Sequence, residues 1–336
     1  MSSPAAAERG SWVWATCGAS VAGSMHVRKG LGCDDAFGYA VAGDFIVAAV
    51  ADGAGSVSGT SAWGSYAACQ SVLRDASDPG FIRDFRTGKA DRGEALMRWL
   101  FDGAVERVNS QADSLGLDVS LLSTTLAVAI ADRGLSVFGQ IGDGVIASES
   151  AGRVATLLIE PKDEYANTTW FLQSERAFDE SFRTTTQTGV TAFALSTDGM
   201  SYKITNIATG DPYEPFFRGS WEHVRNGASA ANFEALLNGI EDDQTGDDKT
   251  MVLAAVRREP GRALEPQVRQ VASRVPGGLP TPGVSSDRTV PIPSDDVETT
   301  TPITTSPPPR IVRTPRQTDT ESVVTKRQWF RGRRQK

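Results

Sequence analysis

The chain has 336 residues, 40% hydrophobic and 22% charged, a balance that excludes disorder throughout and accommodates one large sheet-rich domain with a tail. The net charge of -7 is uneven: from residue 261 onward Lys and Arg outnumber Asp and Glu by about 13 to 7, so the first 260 residues carry the acidity. The longest apolar run, Phe45 to Ala51, falls far short of the roughly 20 residues that a membrane-spanning helix needs.

Residues 1–10, MSSPAAAERG, lack the basic start and apolar stretch of a secretory signal and are expected to be a flexible N-terminus of a cytoplasmic protein. Residues 11–258 are expected to be the folded domain. Within it, β-branched and apolar runs predict strands over Trp12 to Thr16, Ala36 to Val41, Phe45 to Ala51, Thr124 to Ala131, Leu135 to Ile141 and Val145 to Ser148. Further strands are expected over Val154 to Ile159, Thr191 to Ser196 and Met251 to Val256. Helical spacing marks Thr60 to Leu73 and Glu94 to Leu115, where Leu96, Leu100, Ala104 and Val108 recur at three and four, with a shorter helix near Asn232 to Gly239. Helices grouped between blocks of hairpin-like strands predict the α+β class rather than a doubly wound sheet.

Residues 259–336 turn to Pro, Thr, Ser and Arg and lose periodic apolar residues, which predicts a disordered tail. It closes on KRQWFRGRRQK, whose Trp329 and Phe330 among basic residues allow either docking to an acidic surface or plain solvation. Cys17, Cys33 and Cys69, odd in number and widely spaced, predict buried free thiols rather than disulfides or a zinc site.

Four motifs set an aspartate at the end of an apolar strand: Cys33-Asp34-Asp35-Ala36, Ala51-Asp52-Gly53-Ala54, Thr197-Asp198-Gly199 and Gly246-Asp247-Asp248-Lys249. Each alone reads equally as a turn, since Asp-Gly is the commonest hairpin pair. Together they differ, because a sheet gathers its strand ends along one edge and can bring several carboxylates within a few ångström of each other. Such a cluster repels itself unless hard, oxygen-seeking cations such as Mg2+ or Mn2+ neutralise it. Only His26 and His223 are present, which disfavours a histidine-rich zinc or iron site and a Ser-His-Asp triad. No G-x-x-x-x-G-K-[ST] loop occurs, and EDDQTGDDK lacks EF-hand spacing.

In order and spacing, the pieces SMHVRKGLGCDDA, VADGAG, STTLAVAI, GQIGDG, LSTDGM and DDKTMVLAAV resemble the metal-dependent serine/threonine protein phosphatases of type 2C, particularly their bacterial branch. The resemblance covers roughly residues 11 to 257 and implies a four-layer αββα sandwich, two antiparallel sheets face to face with helices outside. It implies hydrolysis of phosphoserine and phosphothreonine in proteins by in-line attack of a hydroxide bridging two Mn2+ or Mg2+ ions. By position, Asp52 would bridge the metals, Asp198 and Asp247 would complete one site, and Asp34 with the Gly53 carbonyl the other. Asp35 would orient ligands or waters, and Asp248 would buttress the ligand beside it. Asp143 matches an aspartate of a third, weaker metal site, with a plain turn as the alternative.

Two departures from the family pattern matter. Gly30 stands where many relatives have a phosphate-holding arginine, leaving His26 or Arg28 as substitutes, against a solvated loop or a satisfied structural histidine. Ala54 replaces a histidine that could protonate the leaving group, a task then left to water. An inactive phosphatase-fold scaffold, a phosphopeptide-binding module and a phosphatase of small esters remain alternatives. A monomer is expected, without nucleic-acid or membrane partners, and a cognate serine/threonine kinase that phosphorylates the Thr-rich tail is a further candidate partner.

Overall fold

The computed structural model describes residues 11–54, 59–88, 90–158, 169–241, 245–259 and 267–272. Among them the strands are, in chain order, β1 (Ser11–Val21), β2 (Ala36–Ala42), β3 (Phe45–Ala51), β4 (Leu126–Ala131), β5 (Ser136–Ile141), β6 (Val145–Ser150), β7 (Arg153–Leu157), β8 (Arg183–Gln187), β9 (Val190–Ser196), β10 (Lys249–Glu259) and β11 (Gln267–Ala272). The helices are α1 (Ser24–Arg28), α2 (Ser61–Ala76), α3 (Pro79–Thr87), α4 (Ala90–Leu115), α5 (Ala177–Glu180), α6 (Ser201–Ile204), α7 (Glu214–Arg225) and α8 (Ala230–Gly239).

The strands form two sheets, one ordered β1-β10-β9-β6-β7 and the other β11-β2-β3-β4-β5-β8, and every pairing is antiparallel. Their packing follows from the alternation of side chains along a strand. On β3, Phe45, Val47, Ala49 and Ala51 pack with α2, α3 and α4 residues such as Val72, Phe85 and Leu100. The intervening Ile46, Ala48 and Val50 meet Phe193 and Leu195 of β9 and Val252 of β10 across the sandwich. On the far side Ala194, Met251 and Leu253 pack against Phe217, Trp221, Phe233 and Leu237 of α7 and α8. Helix, sheet, sheet and helix thus form the four layers that the resemblance implied, with two antiparallel sheets inside. Cover on both faces also explains why FIVAAVA and LAVAIA are unbroken apolar runs, as is usual for doubly covered strands.

Several elements were not legible. β8, RTTTQ, is half-buried along its length and carries no apolar alternation. α7 covers part of a stretch from which no element was read, although Phe217, Trp221 and Val224 fall on one helical face. α3 is announced by its Asp78 cap, which accepts from the Gly80 and Phe81 amides at 2.7 and 3.2 Å, with Pro79 in the first turn.

β10 runs to Glu259, and β11 pairs with β2 inside the stretch expected to be a structureless tail. The two valines of QVRQVA lie three apart, so the period-two signal is missing; backbone pairing to the edge strand makes the element. The rest of that stretch, with Trp329 and Phe330, lies outside the described residues, as do residues 1–10. Cys17, Cys33 and Cys69 are buried free thiols. Among the described residues no helix is long and apolar enough to cross a membrane.

Candidate metal centre

β3 ends at Ala51, and bonding to Thr124 and Thr125 carries the chain on through the next two residues. The Asp52 amide donates to Thr125 Oγ1 at 3.0 Å, and the Asp52 carbonyl accepts from the Thr125 amide at 2.8 Å and Thr124 Oγ1 at 3.0 Å. Gly53 continues as an isolated bridge to Thr124. A Cβ there would stand 2.6 Å from the Asp34 carbonyl oxygen, so only glycine lets the first two acidic motifs touch.

β9 and β10 are neighbours, and their acidic ends are locked to each other. The Thr197 amide donates to the Thr250 carbonyl, and the Thr250 amide donates to Thr197 Oγ1, both at 3.1 Å. Asp198 begins a short 3-10 turn through Met200. A Cβ on Gly199 would lie 1.9 Å from the Asp248 carbonyl oxygen, and one on Gly23 would lie 2.2 Å from that of Asp247.

Asp34 and Asp35, just before β2, are both buried. Asp34 Oδ2 accepts from Ser61 Oγ at 2.8 Å and its carbonyl from Ser65 Oγ at 2.6 Å, so the first two turns of α2 hold this acid in place. Asp35 Oδ2 accepts from Thr197 Oγ1 at 2.8 Å, which ties the two sheets together at this edge. Asp143 lies half-exposed in the turn between β5 and β6, accepting from Thr169 Oγ1 at 3.0 Å.

The acids act on one another through their charges. The Asp52 carboxyl is held well above the ordinary carboxylate range, first by desolvation and then by the charges of Asp35, Asp198, Asp247 and Asp143. Asp35 is raised likewise, by burial and then by Asp248 and Asp247, while hydrogen bonds from Thr250 and Thr197 pull the other way. Among the described residues no three acidic, imidazole or thiol side chains close on one point as a finished metal cage. The donor set itself, carboxylates and a backbone carbonyl around Asp52, is of the hard-oxygen type that suits Mg2+ or Mn2+.

His26 and Arg28 each bond to a neighbouring side chain. The His26 ring is buried and its Nδ1 bonds Asp248 Oδ2 at 2.8 Å, the satisfied structural histidine rather than an exposed phosphate contact. Arg28 is exposed, and its Nη1 donates to Ser24 Oγ at 3.3 Å. The hydroxyl partners Ser61, Ser65, Thr124, Thr125, Thr197 and Thr250 were missed. Some lie inside the motif pieces STTLAVAI, LSTDGM and DDKTMVLAAV, but Ser and Thr at strand ends are too common to signal a role.

Solved bacterial phosphatases show partial structural likeness. The catalytic domain of serine threonine protein phosphatase PstP in complex with two manganese ions is 15% identical with a TM-score of 0.48, covering 73% of this chain and 99% of that one. A bacterial serine phosphatase is 13% identical with a TM-score of 0.48, covering 73% of this chain and 98% of that one. Among curated proteins, serine/threonine-protein phosphatase 3 of Escherichia coli (strain K12) is 28% identical over 258 residues, 72% of this chain and 98% of that protein. The family model for protein phosphatase 2C matches residues 22–238, most of the folded region. The chain belongs to the protein phosphatase 2C family and is a serine/threonine phosphatase.

Proposed function

We propose that this chain removes phosphate from phosphoserine and phosphothreonine in proteins by a metal-dependent route centred on Asp52. The observation that carries the reading is the contact of all four acidic motifs, Gly53 against the Asp34 carbonyl, Gly199 against that of Asp248 and Asp35 bonded to Thr197, with the charges of Asp35, Asp198, Asp247 and Asp143 acting on the Asp52 carboxyl. Asp52 would contact both of two divalent cations, Mn2+ or Mg2+, with Asp198 and Asp247 on one side and Asp34 with the Gly53 carbonyl on the other. Asp143 would serve a third ion with Asp198.

Such cations, when bound, acidify water and neutralise the phosphoryl oxygens, the main requirements of in-line phosphoryl transfer. The chain's own residues do the positioning. Ser61 and Ser65 hold Asp34, Thr124 and Thr125 hold the Asp52 backbone, and Thr197 holds Asp35. Ala54 offers no proton to the leaving alkoxide, so water supplies it.

The test is hydrolysis of p-nitrophenyl phosphate and of a phosphothreonine peptide with Mn2+. Chelation is expected to abolish turnover, and Asp52→Asn or Asp198→Asn to lower it by about 10²–10³-fold. Activity that survives chelation, or is indifferent to both substitutions, would overturn the metal route.

A further inference from the structure

α1 is turned the wrong way round for a surface helix. It has five residues and no side-chain cap, too short to hold together alone. Met25 and Val27, its apolar side chains, are 43% and 63% exposed, while His26 beneath them is 6% exposed. An amphipathic segment would do the reverse. Burying an imidazole is costly unless it is hydrogen-bonded, so the bond it makes carries the explanation.

That bond ends on a crowded carboxylate. Asp248 Oδ1 accepts from the Gly23 amide at 2.7 Å, and Oδ2 accepts from His26 Nδ1 at 2.8 Å and from the Asp34 amide at 2.6 Å. The Asp248 amide in turn donates to Asp247 Oδ1 at 2.9 Å. An ionised carboxylate only accepts, so His26 Nδ1 carries the proton. The buried Asp248 side chain therefore joins the start of α1 and the backbone of Asp34, more than 200 residues away in the chain, while its own amide holds the neighbouring Asp247 side chain.

We propose that His26 is a positioning residue for the metal centre: its Nδ1 proton fixes the Asp248 carboxylate, which holds the Asp34 backbone, and the Asp248 residue so fixed presents its amide to the Asp247 side chain. The Met25 amide, bonded to the Gly246 carbonyl at 2.9 Å, keeps the helix seated on the same loop. Without the imidazole donor, among the described residues Oδ2 keeps the Asp34 amide, and α1 holds the carboxylate through the Gly23 amide on Oδ1 and no longer through a side chain. The inference rests on the metal-centre reading above.

The experiment titrates Mn2+ into the metal-free full chain by calorimetry, comparing wild type, His26→Leu and His26→Asn, with circular dichroism to confirm folding. Leu fills the buried site without a donor; the Asn amide nitrogen stands as many bonds from the backbone as Nδ1. His26→Leu is expected to weaken Mn2+ binding about 10–100-fold, the usual cost of losing a partner behind a metal ligand, and His26→Asn to stay within roughly threefold of wild type. At saturating Mn2+ the KM of His26→Leu for p-nitrophenyl phosphate is expected to be unchanged.

Equal affinity in wild type and His26→Leu, equal weakness in Leu and Asn, or a tenfold rise in that KM would each overturn the proposal. Should His26→Leu not fold, His26→Asn decides alone, with near-wild-type affinity supporting the proposal and a tenfold loss overturning it. A wild-type chain that binds no Mn2+ would sink the metal reading and this inference together, whereas wild-type binding with an indifferent His26→Leu sinks the inference only.

Discussion

β3 is flanked by two aspartates, Asp44 before it and Asp52 after it, and the strand's ends could hardly differ more. Asp44 sits in the hairpin turn with β2, where Arg86 Nη2 approaches one carboxylate oxygen at 2.6 Å and Arg133 Nε the other at 3.6 Å. Asp52, one strand length away, meets the charges of Asp35, Asp198, Asp247 and Asp143. The same residue type at the two ends of one strand is thus neutralised by arginine at one end and acted on by charges of its own sign at the other. An acid supplied with its counter-charge is a surface feature; an acid gathered with others is arranged for a cation from outside the chain.

The sharpest way to break this contrast is to neutralise each acid in turn. Asp52→Asn is expected to cost about 10²–10³-fold in Mn2+-dependent turnover, and Asp44→Asn less than about twofold, read on the same substrate. Comparable losses would mean that the two ends are not different in kind.

Next in size is the response of the metal-free protein to pH. Asp52 and Asp35 have folded-state pKa values raised well above those of an unfolded chain. In the window from about 3.9, the unfolded carboxyl value, up to the raised folded values, the native state keeps protons that the unfolded state has released, so stability falls as pH rises. Each such group costs about 1.4 kcal/mol per pH unit within that window. Urea denaturation at a series of pH values is expected to show this decline in the metal-free wild type and a shallower one in Asp52→Asn. An identical slope in the two would remove Asp52 from the account.

The smallest effect belongs to the arginine-paired end. Its ion pairs are solvent-accessible, and Asp44→Asn is expected to cost under about 1 kcal/mol of unfolding free energy. A loss of several kcal/mol would show that this turn, too, is more than a surface feature.

How much of this could be read beforehand differs between framework and site. Strands buried on both faces announce themselves, because Phe45 to Ala51 has no polar residue to interrupt it. β8 does not, since its threonines satisfy neither pattern. α7 carried a readable Phe217, Trp221, Val224 spacing, obscured by the polar residues between. The aspartates stood out at strand ends beside glycine or a second acid, and it was the family resemblance that gave them separate roles. Their supports were not: the partner of His26 is 222 residues further along, and no local pattern indicates a bond of that span. The same holds for Thr197 and Asp35, which are 162 residues apart.

Strand order also sets a timetable for synthesis. β2, β3, β4 and β5 pair each with the next, so that sheet can assemble as the chain emerges. Among the described residues β1 pairs only with β10, Ser11 opposite Glu259, and must wait for β10 to be made. Asp34 and Asp52 are therefore synthesised, beside strands that can already pair, before Asp198 and Asp247 exist. The mutual repulsion of the acids is met late, when β9 and β10 complete the second sheet against one whose β2 to β5 strands can already be paired.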